Sequence, residues 1–356
     1  MLTNSRSRPQ SRLSSPVAGR RHGLLCLSIA LCSTAWCLSA QAFTVFDPVG
    51  SVRTEAGNIN KRSDVSGIYW DASDNAHGFL RTASDGHITS IDYPGAVETL
   101  ANQINRSDNI VGYYQGPDLV PHGFLRTAGG EMTTIDYPGS TETSAELIND
   151  KNWITGFYTT VSTGGHYHGF VRDPAGTFTT YDVPGATDTL PESMNIQGWI
   201  AGYYRTLDGV NYVSHGFLRD PSGAITTFDV LDAADTVSAF VDDRNEVAGY
   251  YLDSGLNYHG FERAPGGTIS TLPYDVPGAT QTRPVWGHLN HAGALKIDGF
   301  AMYGPHVYGY VRRPTGTFHT FDVLGYGTYA SGMNATNVTG YCFDSSGVQH
   351  GFIGHP

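Results

Sequence analysis

Two residue types recur along this chain at spacings that suit proton transfer. A histidine opens the tripeptide His-Gly-Phe at His77, His122, His168, His215, His259 and His350. An aspartate preceded by an aromatic or β-branched residue recurs at Asp47, Asp92, Asp136, Asp182, Asp229, Asp275 and Asp322. In three copies the two are 14 residues apart (122 to 136, 168 to 182, 215 to 229). A carboxylate beside an imidazole is the pairing that general acid–base catalysis uses. A catalytic device is seldom copied six times in one chain, so the repetition argues for a structural role. A hairpin that pairs Arg126 with Met132 sets His122 opposite Asp136, where the two satisfy each other inside a stack of sheets. His350 then pairs with Asp47, from the other end of the chain.

A second set suits ligand binding. After each recurrent Asp comes Pro-Gly-Ala or a variant, then two residues and a Thr; the residue before that Thr is Glu98, Glu142, Asp188 and Asp235 in copies two to five. Trp70, Tyr114, Tyr158, Tyr204 and Tyr251 stand at a recurrent aromatic position. Carboxylates accept sugar hydroxyls and aromatic rings stack on apolar sugar faces, so the two together suit carbohydrate. A solvated acidic rim, with tyrosines packed between repeats, accounts for the same residues. The sixth copy breaks the pattern with Trp286, His288, His291, Lys296, Asp298 and His306, a mixture able to supply a base, an acid and a stacking platform. Drift of one repeat explains that break better. His288 and His291, three apart and without a supporting cysteine or carboxylate pattern, do not make a metal signature. Phosphate-cradling, nucleophile-elbow, His-Glu-x-x-His and EF-hand motifs are absent, so no cofactor is expected.

The elements that position these residues follow from the period. The Asp markers are separated by 45, 44, 46, 47, 46 and 47 residues, and the sixth His-Gly-Phe is degenerate as Tyr308-Gly309-Tyr310. In copy two, Thr99 to Asn105, Ile110 to Gln115, His122 to Thr127 and Met132 to Tyr137 are rich in β-formers and separated by Asn, Asp, Gly or Pro. Four strands per period of about 45 residues predict an all-β fold, a seven-bladed β-propeller. Residues 43–47 match only the fourth strand of the unit, and the last copy stops at its third strand, His350-Gly351-Phe352-Ile353. The N-terminal strand is therefore expected to complete the last blade and close the ring. The glycines of Gly-Tyr-Tyr and His-Gly-Phe are expected where sheets approach closely, and Phe79, Phe124, Phe170, Phe217 and Phe261 in the core between blades. Asn60, Asn105, Asn149, Asn195 and Asn334 precede turns and are expected to bond the backbone.

The unit, reading Ile-Asn, Gly-Tyr-Tyr, His-Gly-Phe-Leu-Arg and Thr-Thr-Ile-Asp-Tyr-Pro-Gly-Ala, resembles the exported bacterial repeats of the HAF family, with Gly in place of the central Ala. The resemblance implies export and a repeated β-architecture, and it carries over no catalytic residue.

Residues 1–42 hold five arginines and no acid, with an apolar run from Leu24 to about Leu38 and Ala40-Gln41-Ala42 at its end. This is the grammar of a cleaved secretory signal, leaving one domain over residues 43–356 in the periplasm or outside the cell. That body carries 16 Lys and Arg against 33 Asp and Glu, which argues against nucleic acid as a partner. No later segment is long and apolar enough to span a bilayer. Cys342 is its one cysteine, so no internal disulfide is expected, and the chain is expected to be monomeric. The leading expectation is a recognition module for a glycan or cell-surface component at the channel mouth. The alternatives are a polysaccharide lyase or glycoside hydrolase with one asymmetric site near blade six, and a scaffold with no small ligand.

Overall fold

The computed structural model describes residues 42–161, 164–272, 274–289 and 295–356. Their strands form seven four-stranded antiparallel sheets, each a meander in chain order except the last. In blade two the strands are Glu98–Ile104, Ile110–Gln115, Pro121–Arg126 and Met132–Ile135, within two residues of the expected bounds. Arg126 pairs with Met132, the expected register. Blade seven takes Thr328–Met333, Val338–Phe343 and Gln349–His355 from the end of the chain and Ala42–Phe46 from its beginning, with Val45 opposite Phe352. Ile353 also packs with Phe79 in the core of blade one. The ring is closed, and the third strand of blade seven has no bare edge.

The core lies between the sheets. Phe79, Phe124, Phe170, Phe217, Phe261 and Phe352 are 0% exposed, and Tyr310 replaces them in blade six. Each inner strand carries a β-bulge at the same place; in blade two it lies between Ala101 and Gln103, leaving Asn102 as the extra residue. The bulge pushes the carbonyl of Leu100 toward the second strand, where a Cβ on Gly112 would overlap it. The Gly of Gly-Tyr-Tyr is thus required by the bulge beside it. The buried Thr that opens each inner strand receives the incoming loop: Thr99 Oγ1 accepts the N–H of Tyr93 at 2.9 Å and Thr143 Oγ1 that of Tyr137 at 3.1 Å.

Two faces result. The upper face carries the loops from second to third strand and from one blade to the next. The lower face carries the turns from first to second and from third to fourth strand.

Candidate functional site

The recurrent His–Asp pairs form as expected, at the upper ends of the third and outer strands. Nδ1 of His77, His122, His168, His215 and His259 lies 2.6–3.1 Å from Asp92, Asp136, Asp182, Asp229 and Asp275. His350 meets Asp47 at 2.7 Å across the closing seam. They are not buried inside the stack: the side chains of His122 and Asp136 are 32% and 39% exposed, because the strands end at the face. Half-exposed pairs contribute little, so His122→Ala is expected to cost less than about 1 kcal/mol in urea unfolding. A loss of 3 kcal/mol or more would show that the pair carries the blade.

The four loop acids do stand at the upper face, at the head of the inner strands of blades two to five, but they are not equivalent. Asp188 is buried and accepts the N–H of Tyr167 in blade three at 3.0 Å; Asp235 accepts that of Ser214 in blade four at 2.6 Å. Both latch one blade to the next. In blade two the matching residue is Pro121, which has no N–H, so Glu142 is left without that bond. Glu98 and Glu142 are the two loop acids available to a ligand.

The aromatic positions are largely engaged. Tyr114 stacks on Tyr93 at 3.7 Å and Tyr158 on Tyr137 at 3.7 Å, and their hydroxyls meet Thr134 and Thr180 at 3.1 and 2.9 Å. Tyr204 and Tyr251 stack on His215 and His259 of their own blades. Trp70 belongs to another register: Tyr69 is the residue opposite His77, as Tyr114 is opposite His122, whereas Trp70 lies under the Arg53 guanidinium at 4.0 Å.

The channel holds an acidic set that the sequence reading did not single out. The residues at the bulges of blades two, three and four are Asn102, Glu146 and Glu192, and Glu146 and Glu192 line a cavity of about 280 Å³ together with Glu55, Asn58, Trp286 and Ser331. Glu146 accepts from the amide of Asn102 at 2.9 Å and from the hydroxyl of Ser144. Glu192 has no hydrogen-bond partner among the described residues and opens onto the lumen. The enclosing walls desolvate it and push its pKa up to about 7, Glu146 adds repulsion, and Arg283 pulls the other way. Arg283 lies over the ring of Tyr250 at 4.6 Å and donates to its hydroxyl at 3.1 Å.

Blade six does not gather its unusual residues into one site. Lys296 pairs with His288 at the lower end of the sheet and His306 pairs with Tyr303 at the upper end, seven residues or about 23 Å further along the strand. Asp298 is 0% exposed, so no ligand reaches it, and His291 lies outside the described residues. Among the described residues of this set, Trp286 lines both the cavity above and a lower one of about 340 Å³.

At the lower opening the recurrent asparagines do more than cap turns. Asn105 Oδ1 accepts the N–H groups of Ser107 and Asn109 at 2.9 and 3.1 Å, while its amide donates to the carbonyl of Asn149 in the next blade at 3.1 Å. The same donation runs from Asn334 to Asn60, Asn60 to Asn105, Asn149 to Asn195 and Asn195 to Asp242, at 2.8–3.3 Å. Charge separates as well: Arg81, Arg126, Arg172, Arg219, Arg263 and Arg312 end the third strands at the lower face, and the recurrent aspartates end the outer strands at the upper one.

No protein-family model matches the chain and no curated protein matches it in sequence, so the likeness to HAF repeats rests on the motifs alone. Solved structures match its fold. The β-propeller domain of the Trilobed protease from Pyrococcus furiosus aligns with a TM-score of 0.60 at 9% identity over 85% of this chain and 95% of that one. An acylaminoacyl peptidase from Pyrococcus horikoshii (0.57, 8%) and a prolyl endopeptidase (0.56, 12%) align over 85% and 86% of this chain, which spans 51% of each. At such identities the likeness shows the fold, a seven-bladed propeller. The Pyrococcus furiosus propeller is described as having an open velcro topology, whereas here the terminal strand is paired. Among the described residues no helix is long and apolar enough to cross a membrane.

Proposed function

We propose that this protein is an exported recognition module that takes a neutral or amine-bearing saccharide chain into its channel from the upper face. The observation that carries the reading is the pair of carboxyl groups at the bulges: Glu146 is fixed by two hydrogen bonds, and Glu192 is unpartnered and open to the lumen. Glu98 and Glu142 at the mouth extend the acidic path, and Trp286 offers an apolar face at its floor. Such a lining accepts hydroxyls and ammonium groups and repels uronates.

The test is a glycan array probed with residues 43–356 and with its Glu192→Gln variant. Hits are expected among neutral and amino-sugar glycans, with at least about ten-fold weaker binding by the variant and a melting temperature no lower than that of the wild type. A uronate polymer bound equally by both proteins would overturn the reading. The carboxyl pair also favours a second reading, a glycoside hydrolase, since two carboxyls in unlike environments divide the acid and base roles. Product analysis on each hit separates the two: shortened chains from the wild type and none from Glu192→Gln identify the hydrolase.

A further inference from the structure

Two departures from the repeat meet at one place on the upper face. In blade four the second and third strands continue past Arg205 and Ser214 for three further pairs, ending at Asp208 opposite Asn211, so their hairpin stands above the face. Beside it, the loop entering blade five replaces the Pro-Gly found at the entries to blades two, three, four and six with Leu231-Asp232. Asp232 adopts a φ of 61° where those loops use glycine, a left-handed conformation that strains a residue with a side chain.

These departures border one groove of about 320 Å³, lined by Val213, Ser214, Asp229, Leu231, Asp232 and Asp235 among others. Leu207 and Tyr212 are cross-strand partners on the hairpin face that also carries Ser214 and Gly216. Ser214 donates its N–H to Asp235 of blade five, and a Cβ on Gly216 would meet Ser238 of that blade, so this face looks over the groove. Leu231, Leu207 and Tyr212 are 87%, 54% and 51% exposed, an apolar surface open to solvent. The acids within it are unequally used. Asp229 holds His215 at 3.0 Å and Asp235 holds Ser214, whereas Asp232 has no hydrogen-bond or ion-pair partner among the described residues. The nearby cation, Arg205, lies over the rings of Tyr203 and Tyr212 and 3.8 Å from Asp188.

We propose that this groove docks a polypeptide segment in which a Lys or Arg is flanked by aliphatic residues. The cation sits against Asp232 and Asp229, and the aliphatic neighbours cover Leu231, Leu207 and Tyr212. Exposed leucines at both walls fit an aliphatic side chain, and an unpaired carboxylate between them fits a cation rather than an anion. The docking site stands apart from the saccharide reading: it lies on the upper face along the loop from blade four to blade five, and the channel acids Glu146 and Glu192 take no part in it.

The experiment uses fluorescence anisotropy of residues 43–356 with a labelled Arg-Leu-Arg-Leu-Arg-Leu peptide, and with Arg-Ser-Arg-Ser-Arg-Ser as its apolar-free counterpart. The first is expected to bind, and Leu231→Ser and Tyr212→Ser each to weaken it at least about five-fold. Asp232→Gly restores the turn residue of the other loops, so it is expected to raise the melting temperature while weakening the peptide at least about five-fold. Asp118→Asn, an acid on the same face in blade two, should change the affinity less than about two-fold. Three results overturn the proposal: no binding, equal binding of the serine peptide, or an effect of Asp118→Asn as large as that of Asp232→Gly. The channel variant Glu192→Gln leaves this peptide unaffected, so failure here and failure of the saccharide reading are told apart.

Discussion

At pH 8, Asp298→Thr is expected to raise the unfolding free energy by about 4 kcal/mol. Asp298 sits on the second strand of blade six, 0% exposed, with neither carboxyl oxygen hydrogen-bonded, and the buried hydroxyl of Tyr310 is likewise unpartnered. Blades three and seven place Thr155 and Thr339 at the same position, where each hydroxyl donates to a third-strand carbonyl, of Phe170 at 2.6 Å and of Phe352 at 2.7 Å. A threonine at 298 has the carbonyl of Tyr310 to donate to, and it buries no charge. Burial raises the Asp298 carboxyl from the ordinary 3.8 to about 7. The folded chain therefore keeps a proton there that the unfolded chain releases above pH 3.8. The wild type's stability from this group is full below about pH 4, falls as pH rises toward 7, and stays lost above it. The advantage of the variant should grow over that window and then level off. Urea unfolding of both proteins from pH 5 to 8 checks it; a difference that does not vary with pH would sink the argument.

A similarly large loss is expected from Gly112→Ala. The added methyl overlaps the Leu100 carbonyl, a backbone group held by the bulge at Asn102, and Phe124 closes the other side. Neither a rotamer change nor a flexible side chain relieves it, so the inner strand must shift, at a cost of at least about 3 kcal/mol. Gly95→Ala is a useful contrast, since a Cβ there meets nothing and only its φ of 82° opposes the change, at about 1 kcal/mol. Thermal unfolding of the two variants side by side decides it: equal losses would mean that the bulge is soft.

The blade count, the closing strand and the His–Asp register were legible because each depends on spacing, and spacing survives substitution. His350 and Asp47 lie at opposite ends of the chain, yet the repeat assigns them to one blade. The channel acids were hidden for the opposite reason. A strand read with period two puts Glu146 in phase with Ser144, and the bulge between Ala145 and Leu147 breaks that phase and turns the extra residue to the lumen. The same one-residue sensitivity explains Trp70, which directly follows Tyr69, so that two adjacent aromatics compete for one position of the repeat. The unlike roles of Glu142 and Asp188 depend on Pro121 against Tyr167, a difference of one backbone donor in the preceding blade. Burial of Asp298 was not legible, since an acid among β-formers reads as a surface position until a neighbouring sheet covers it.

Among the described residues the amide links around the lower opening all point the same way, from blade seven through blade four each giving to the one after it, and the run stops at Asp242. Its carboxylate accepts from Arg244 and Glu246 at 2.7 and 2.8 Å and has no N–H to pass on. The place where the two chain ends meet is therefore stitched twice, by the paired terminal strand and by Asn334 reaching Asn60. Among the described residues, a joint without that stitch falls between blades five and six, where the polypeptide itself runs through. A disc built this way is a bracelet whose clasp is stronger than one of its links, and that link is the one the covalent chain already tethers. If it parts, the chain still ties the two blades together.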